Sequence, residues 1–583
     1  MNPFYSCITG GRVAALALLL AATVPAARAQ APAWQSVFGP SPVTSNRSEV
    51  NATATDAAGN LYLVGDFSGA IQLGATTLTS AGGDNVFVAK WSPVSRSFVW
   101  AQRLGGTGDD YGQAIAVSGS SVYVGGFFRS SSLGAGSFTL LNSSAPGSGS
   151  SDAFLVKFTD AGASASVAWA QQVGGTSTEE IDGLAAVGSS LYVAGSFSSS
   201  TVQVGGTTLA SAGTSDVFVA KFNDVGAAPS LAWAQRAGGP GFDQADALAV
   251  SGGNVYVAGT FEMTATFGTT ALTSAAGGQG QPDVFVAKLA DAGASAGFGW
   301  AVRGGGRSAF VRGLAASGSS VYAVGDFSGP TATFGPATVA NAGGQNGNDA
   351  FITKLTDAGT TGAFVWAQAG GGSDYDEANA VAVRGGSVYV TGHFASATAT
   401  FGSTALTNPN PVSGYDIFVA RLRDAGPSGS FAWAQSGGST GSDYARAVAL
   451  GSTTVYVAGS ARTPATFGGQ TLNAPVLYAT DPVAFVATLS DATGLPIADA
   501  AALAGFGLSP NPAHGMVTVQ LPAVPGAATA TLTVFDALGR AVRIQNAAIN
   551  SKAELDLAGL APGLYAMRVA AGGSTTTQRL VVE

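Results

Sequence analysis

Short apolar runs, cut by Gly, Ser, Asn and Asp, recur along most of the chain in a repeating order. Within one unit an alternating run, Ala114-Ile115-Ala116-Val117, is followed by a polar turn, Ser118-Gly119-Ser120-Ser121. A β-branched and aromatic run comes next: residues 122–128 read VYVGGFF and residues 255–261 read VYVAGTF. A longer segment follows, often with a Phe-Gly pair and a Thr-Leu-Thr-like run. Then comes Asp-x-Phe-x-x-Lys, as at Asp152, Phe154 and Lys157, at Asp216, Phe218 and Lys221, and at Asp283, Phe285 and Lys288. An Asp-Ala-Gly turn leads into a strand bearing tryptophan. Period-two alternation bounded by turn formers predicts short antiparallel strands. The Asp-x-Gly turns supply the left-handed residue that a tight hairpin requires.

Trp34, Trp100, Trp169, Trp233, Trp300, Trp366 and Trp433 mark seven such units at spacings of 64–69 residues. Each unit holds four main strands and a small extra hairpin. Four-stranded units repeated radially make a propeller, whereas solenoid coils repeat at a much shorter period. The expected fold is all-β: a seven-bladed β-propeller over residues 30–495, a linker at 496–507 and a small C-terminal β-sandwich at 508–583. The first tryptophan strand precedes the first group of three strands, and the last group ends at Asp491 without one. Residues 33–38 are therefore expected to supply the outer strand of the last unit, which would hide two sheet edges.

Composition narrows the function classes. Only 10% of the 583 residues are charged, 46% are hydrophobic and 83 are glycine. Such a chain is too apolar for disorder, and after the N-terminus no apolar run is long enough to span a bilayer as a helix. A net charge of −9 argues against a nucleic-acid surface. Residues 1–29 read as a signal peptide, with Arg12, an apolar stretch at 13–24 and the cleavage site Ala27-Arg28-Ala29. The one cysteine, Cys7, lies in that leader, so the mature chain is expected to have no disulfide and no thiolate metal site.

The run Gly253-Asn254-Val255-Tyr256-Val257-Ala258-Gly259, the Asp-x-Phe-Val-x-Lys strand and the connection from Gly105-Gly106 to Asp109 resemble the bacterial seven-bladed β-propeller repeat of SBBP type. That resemblance implies the fold and says almost nothing about function. Past residue 507 a second resemblance begins. Pro510-Asn511-Pro512 is followed by Val-Phe-Asp-Ala-Leu-Gly-Arg, ending at Gly539-Arg540, and by a segment containing Gly563 and Tyr565. These motifs, in this order, resemble the type A C-terminal sorting domain of type IX secretion in the Bacteroidetes. The resemblance implies a compact β-sandwich that engages the secretion machinery, and a secreted or outer-surface location after passage through the periplasm.

Catalytic motifs are wanting. The histidines, His393 and His514, form no metal-binding pair. Gly437-Gly438-Ser439-Thr440-Gly441 matches G-x-S-x-G but has no following helix and no histidine partner. Acidic residues recur after the tryptophan strand: Asp109 and Asp110, Glu179 and Glu180, Asp243, Asp374 and Asp376, and Asp443. In the unit after Trp300 the acids give way to Arg303, Arg307 and Arg312. The carboxylates are the candidate binding residues, expected on a loop-bearing rim, with calcium as a possible ligand and turn-capping as the plain alternative. The expected protein is an exported, non-enzymatic binder of an extracellular glycan or surface protein, without a required cofactor. The alternatives are a polysaccharide-acting enzyme on the same scaffold or a purely structural surface component.

Overall fold

The second strand of each unit shows why the elements form. Leu61–Phe67 is buried along its whole length, as is Thr454–Ala461 after its first residue. A strand covered on both faces reads as a continuous apolar run rather than an alternating one. The computed structural model describes residues 31–583 except 45–46, 145–148, 276–279, 413, 474–480, 492–506, 523–527, 537–540 and 572–573. The leader and its cleavage site, most of the linker, and Gly539 and Arg540 thus lie outside the described residues.

The described residues form an all-β protein of antiparallel sheets. The first sheet runs Ser48–Thr55, Leu61–Phe67, Asn85–Ser92 and Ser97–Leu104, each strand paired to the next. Five more units repeat this order, with first strands Asp110–Ser118, Glu179–Val187, Gln244–Ser251, Ser308–Ser317 and Asp376–Arg384. The seventh contains Tyr444–Leu450, Thr454–Ala461 and Val483–Ser490, and its fourth strand is Trp34–Phe38 from the other end of the chain. Trp34 lies opposite Leu489 and Phe38 opposite Val486.

Successive sheets pack face to face. Each of seven apolar clusters draws on two neighbouring sheets, and one joins Val50, Leu63 and Phe87 of the first sheet to Tyr456, Ala458 and Val486 of the seventh. The same two sheets are tied by Thr55 Oγ1 donating to the Leu450 carbonyl at 3.1 Å, by the Ala484 amide donating to Ser48 Oγ at 3.0 Å, and by an Arg446–Glu49 ion pair at 2.8 Å. The extra hairpin of each unit reaches back to the preceding sheet. Thr331–Phe334 pairs with the end of Ala296–Gly305, and Thr398–Phe401 with the end of Gly362–Gly371. Ala70–Leu73 pairs in the same manner with Ser41–Pro42, which continues the strand borrowed by the seventh sheet.

One irregularity is common to all seven first strands. Each carries a β-bulge against its second strand, and the residue left without a register partner is Asn51, Gln113, Asp182, Asp246, Arg312, Asn379 or Arg446. The bulge drives a carbonyl of the first strand against a glycine of the second. A Cβ on Gly259 would stand 1.9 Å from the Gln244 oxygen, so no side chain fits there. The recurring Gly of Val-Tyr-Val-x-Gly is therefore the counterpart of the bulge.

The C-terminal segment forms two further antiparallel sheets. One contains Gly507–Ser509, Met516–Leu521 and Ser551–Asp556; the other contains Ala541–Ala548, Thr529–Phe535, Gly563–Ala571 and Ser574–Val582. A single core that includes Val519, Leu532, Val569 and Leu580 draws on both.

Candidate functional site

The acidic positions divide by role. Asp110, Glu179, Asp243, Asp376 and Asp443 stand at or just before the start of a first strand and have no exposed surface. They are inside the fold, not on the solvent-facing rim expected of them. Asp110 accepts from the Gly106 amide at 2.7 Å and from Ser130 Oγ at 2.7 Å. Asp376 accepts from the Gly372 amide at 2.6 Å and from Ser396 Oγ at 2.7 Å. Asp243 and Asp443 hold the amides of Gly239 and Ser439 likewise, and Glu179 takes Ser199 Oγ. Each closes the Gly-Gly connection on itself, because an amide buried without water needs an acceptor. Asp109 is exposed and accepts from the Asp84 amide at 3.0 Å, while Asp374 is half-buried and accepts from the Tyr375 amide. Asp110→Ala is expected to cost about 1–3 kcal/mol by stranding these donors. Chemical denaturation measures that loss; a midpoint equal to wild type would contradict a structural role.

Glu180 is the predicted residue that belongs to a different place. It lies next to the bulge, where side chains of successive first strands converge. A polar cavity of about 340 Å³ there is lined by Arg47, Glu49, Asn51, Asp66, Tyr111, Gln113, Arg312, Asn379 and Arg446. Five of the seven bulged residues are in this lining. The bulge adds one residue to the strand and re-aims its side chain, a device common beside binding sites. The charges are arranged in pairs: Arg47 to Asp66 at 2.5 Å, Arg312 to Asp326 at 3.1 Å and Arg312 to Glu377 at 3.7 Å. The other two bulged residues, Asp182 and Asp246, are outside this lining but within electrostatic reach of Glu180 and, for Asp246, of Arg312, and each keeps one buried carboxylate oxygen without a hydrogen-bond partner. Burial raises Asp182, and repulsion by Glu180 and Asp246 adds to it. Burial pushes Asp246 up to about 7 despite the attraction of Arg312.

His393 adjoins this chamber as a buried, uncharged side chain. It is packed between Tyr415 and Tyr444, its Nδ1 lies 3.0 Å from Asn379 Nδ2, and burial holds it down at about 3. Among the described residues, no group of three or more His, Cys, Asp or Glu side chains could hold a metal ion. Arg303 is taken up by Asp283 at 2.6 Å and Arg307 is exposed, so only Arg312 of the three arginines lines the chamber. Apart from Arg312, the chamber residues carry no signal in a single unit, because all but Arg47 sit inside strands and not in acid-bearing loops. Across the units the signal was present: the bulged position and the one two residues before it read Glu49/Asn51, Tyr111/Gln113, Glu180/Asp182, Gln244/Asp246, Phe310/Arg312, Glu377/Asn379 and Tyr444/Arg446. These positions vary in type from unit to unit while their surroundings repeat.

In the C-terminal sheets, Asn511 ties the Pro510-Asn511-Pro512 turn to the last strand. Its Nδ2 donates to the Arg579 carbonyl at 2.7 Å and its Oδ1 accepts from the Val581 amide at 2.8 Å. Tyr565 donates to the Ala561 carbonyl at 2.8 Å across the turn that leads to Gly563. No curated protein matches the chain. No helix among the described residues is long and apolar enough to cross a membrane. Residues 508–583 match the secretion system C-terminal sorting domain, which implies engagement with type IX secretion machinery and supports export to the cell surface or the medium.

Proposed function

We propose that this is an exported seven-bladed β-propeller that binds an extracellular polar ligand, such as a glycan, in the chamber where its first strands meet. The propeller reading is supported by seven four-stranded units, by apolar clusters between each pair of neighbours, and by the contacts of the seventh sheet with the first. The observation that carries the binding reading is the bulged residue. At one position in all seven units the strand departs from regular pairing, and the side chain there is polar and differs in type. A position needed only for packing would repeat, as the tryptophans do. Mixed carboxylates, amides and guanidinium groups beside Tyr111 suit a hydroxylated ligand held by many directed hydrogen bonds.

The test is a glycan array with the purified full-length chain, followed by titration of the strongest ligand. Asp182→Asn, Asp246→Asn and Gln113→Ala together are expected to weaken binding about tenfold or more, the scale of one or two lost hydrogen bonds. Asp109→Asn is expected to leave it unchanged. Retention of full affinity by the triple variant would place the ligand elsewhere. Deleting residues 508–583 is expected to leave the protein in the periplasm, read by cell fractionation; appearance of the truncated chain in the medium would contradict the sorting role. A polysaccharide-acting enzyme is the second reading. Asp246, near 7, has the range of a general acid. Cleavage of a bound glycan that is lost in Asp246→Asn would favour it.

A further inference from the structure

At six of the junctions between sheets an aspartate of one sheet meets a tyrosine and a lysine or arginine of the sheet before it. Asp160 of the second sheet accepts from Lys90 Nζ at 2.6 Å, Tyr62 OH at 2.7 Å and Trp100 Nε1 at 3.1 Å, all from the first. Asp291 does so with Lys221, Tyr192 and Trp233, and Asp357 with Lys288, Tyr256 and Trp300. Asp224 and Asp424 repeat the set, and Asp491 takes Arg421 and Tyr389. Each aspartate follows three residues after the Lys, Arg or Thr position of its own third strand.

The junction of the seventh sheet with the first departs from this pattern at both ends. Pro93 stands where the aspartate should be, and Thr488 where the lysine should be. Trp34 is turned to the sixth sheet, where its indole donates to the Ser436 carbonyl at 3.3 Å, and Ser36 stands opposite Thr488 in the place tryptophan holds elsewhere, its Oγ 2.8 Å from Thr488 Oγ1. Tyr456 is kept. Losing the acid and the base together leaves neither charge buried alone, which is the tolerable way to lose such a pair. A cavity of about 520 Å³ lies here, lined by Pro93, Tyr456, Thr488, Phe38, Trp91 and Arg96. That volume is in the range of small-molecule sites. Phe38 and Trp91 stack at 4.4 Å, and Trp91 meets Tyr456 edge-on at 6.1 Å, so one wall is aromatic. Arg96 supplies a cation and is held at φ +52°, a backbone region uncommon for a residue other than glycine.

We propose that this seam binds a small organic carboxylate, whose charged group takes the place that aspartate fills at the other junctions. Its oxygens accept from the Tyr456 hydroxyl and from Thr488 Oγ1, which itself accepts from Ser36 Oγ at 2.8 Å, and face Arg96, and its body lies along Trp91 and Phe38. A sugar acid and a plain alicyclic acid share this chemistry, and the experiment separates them.

Full-length protein is titrated with glucuronate, cyclohexanecarboxylate and glucose, using saturation-transfer NMR and calorimetry. Saturable binding of at least one carboxylate at millimolar concentration, with none of glucose, is expected. Glucuronate alone would identify a sugar acid, and cyclohexanecarboxylate an apolar-bodied one. Thr488→Lys, which restores the ammonium without its acid, is expected to tighten binding about tenfold. Thr488→Lys with Pro93→Asp rebuilds the ion pair from within and is expected to abolish binding while keeping the wild-type melting temperature or raising it. Failure of every carboxylate, equal binding of glucose, or unchanged binding by the folded double variant would each overturn the proposal.

Discussion

Asp291→Ala is expected to destabilise the protein by about 3–5 kcal/mol, the cost of removing one partner from a buried ion pair. Asp291 is 8% exposed and Lys221 9%, so neither charge recovers much hydration when the other is lost. The change strands more than the ammonium. Tyr192 OH donates to Asp291 at 2.7 Å and Trp233 Nε1 at 3.0 Å, and both lose their acceptor. Because Asp291 belongs to the fourth sheet and its donors to the third, the damage falls between two units. Burial alone would raise this carboxyl, but hydrogen bonds from Lys221, Tyr192 and Trp233 outweigh it and hold the group at about 2. Replacing both partners, as Asp291→Leu with Lys221→Met, is expected to cost less than the single change, because no charge is left unpaired. Urea denaturation of the three proteins decides it; a double variant less stable than Asp291→Ala would refute the assignment of the loss to a stranded charge.

The second large effect is an inverted pH dependence. Stability should rise as pH falls from 8 to about 5, where many proteins hold level or begin to weaken. The cause is a set of carboxylates facing one another inside the fold. A Cβ on Gly371 would lie 2.4 Å from Asp349 Oδ1 and 2.8 Å from Asp376 Oδ2, so both acids crowd one glycine. Burial, and for Asp376 the neighbouring Asp349, pushes them up to about 7 for Asp376 and about 6 for Asp349. Asp416 and Asp443 crowd Gly438 in the same manner and are pushed to about 7 and about 6, in each case chiefly by burial. Glu179 and Asp243 are also raised by burial to about 7. Their unfolded values are near 4, so between pH 4 and 7 the native state binds more protons than the unfolded one. Stability then falls as pH rises through that window. The junction aspartates have the opposite sign. Asp291 is depressed, so its contribution is present above the unfolded value and is lost as pH drops toward 2. A maximum at about pH 4–5 follows. Denaturation midpoints at pH 8, 5 and 2.5 test it, and a steady decline from pH 8 to 5 would refute it. Asp349→Asn, a neutral mimic of the protonated acid, is expected to flatten the rise.

Much of the architecture was legible because repetition tests itself. A run such as Val255 to Phe261 is ambiguous alone, but seven copies in one order specify strands, turns and unit length. The missing partner for the last unit was also legible, by matching tryptophan strands to strand groups, and Trp34–Phe38 pairs with Val483–Ser490 as that match requires, but two residues out of the tryptophan register, with Ser36 opposite Thr488. The sorting segment was legible from motif order, and residues 508–583 match that family.

The role of each acid was not legible. Asp109 and Asp110 are neighbours of one type, yet one is exposed and the other has no exposed surface. In an extended strand consecutive side chains take opposite faces, and composition does not say which face meets the next sheet. The bulge was equally hidden, since an inserted residue changes neither hydrophobicity nor period enough to be seen in one unit. Repeat length, strand order, the borrowed strand and the C-terminal motif were determined by sequence alone, because local pattern and chain connectivity suffice for them. Which carboxylates bury, where the bulged side chains converge and why Pro93 faces Thr488 were decided only by tertiary structure, because each depends on contacts between residues from different sheets.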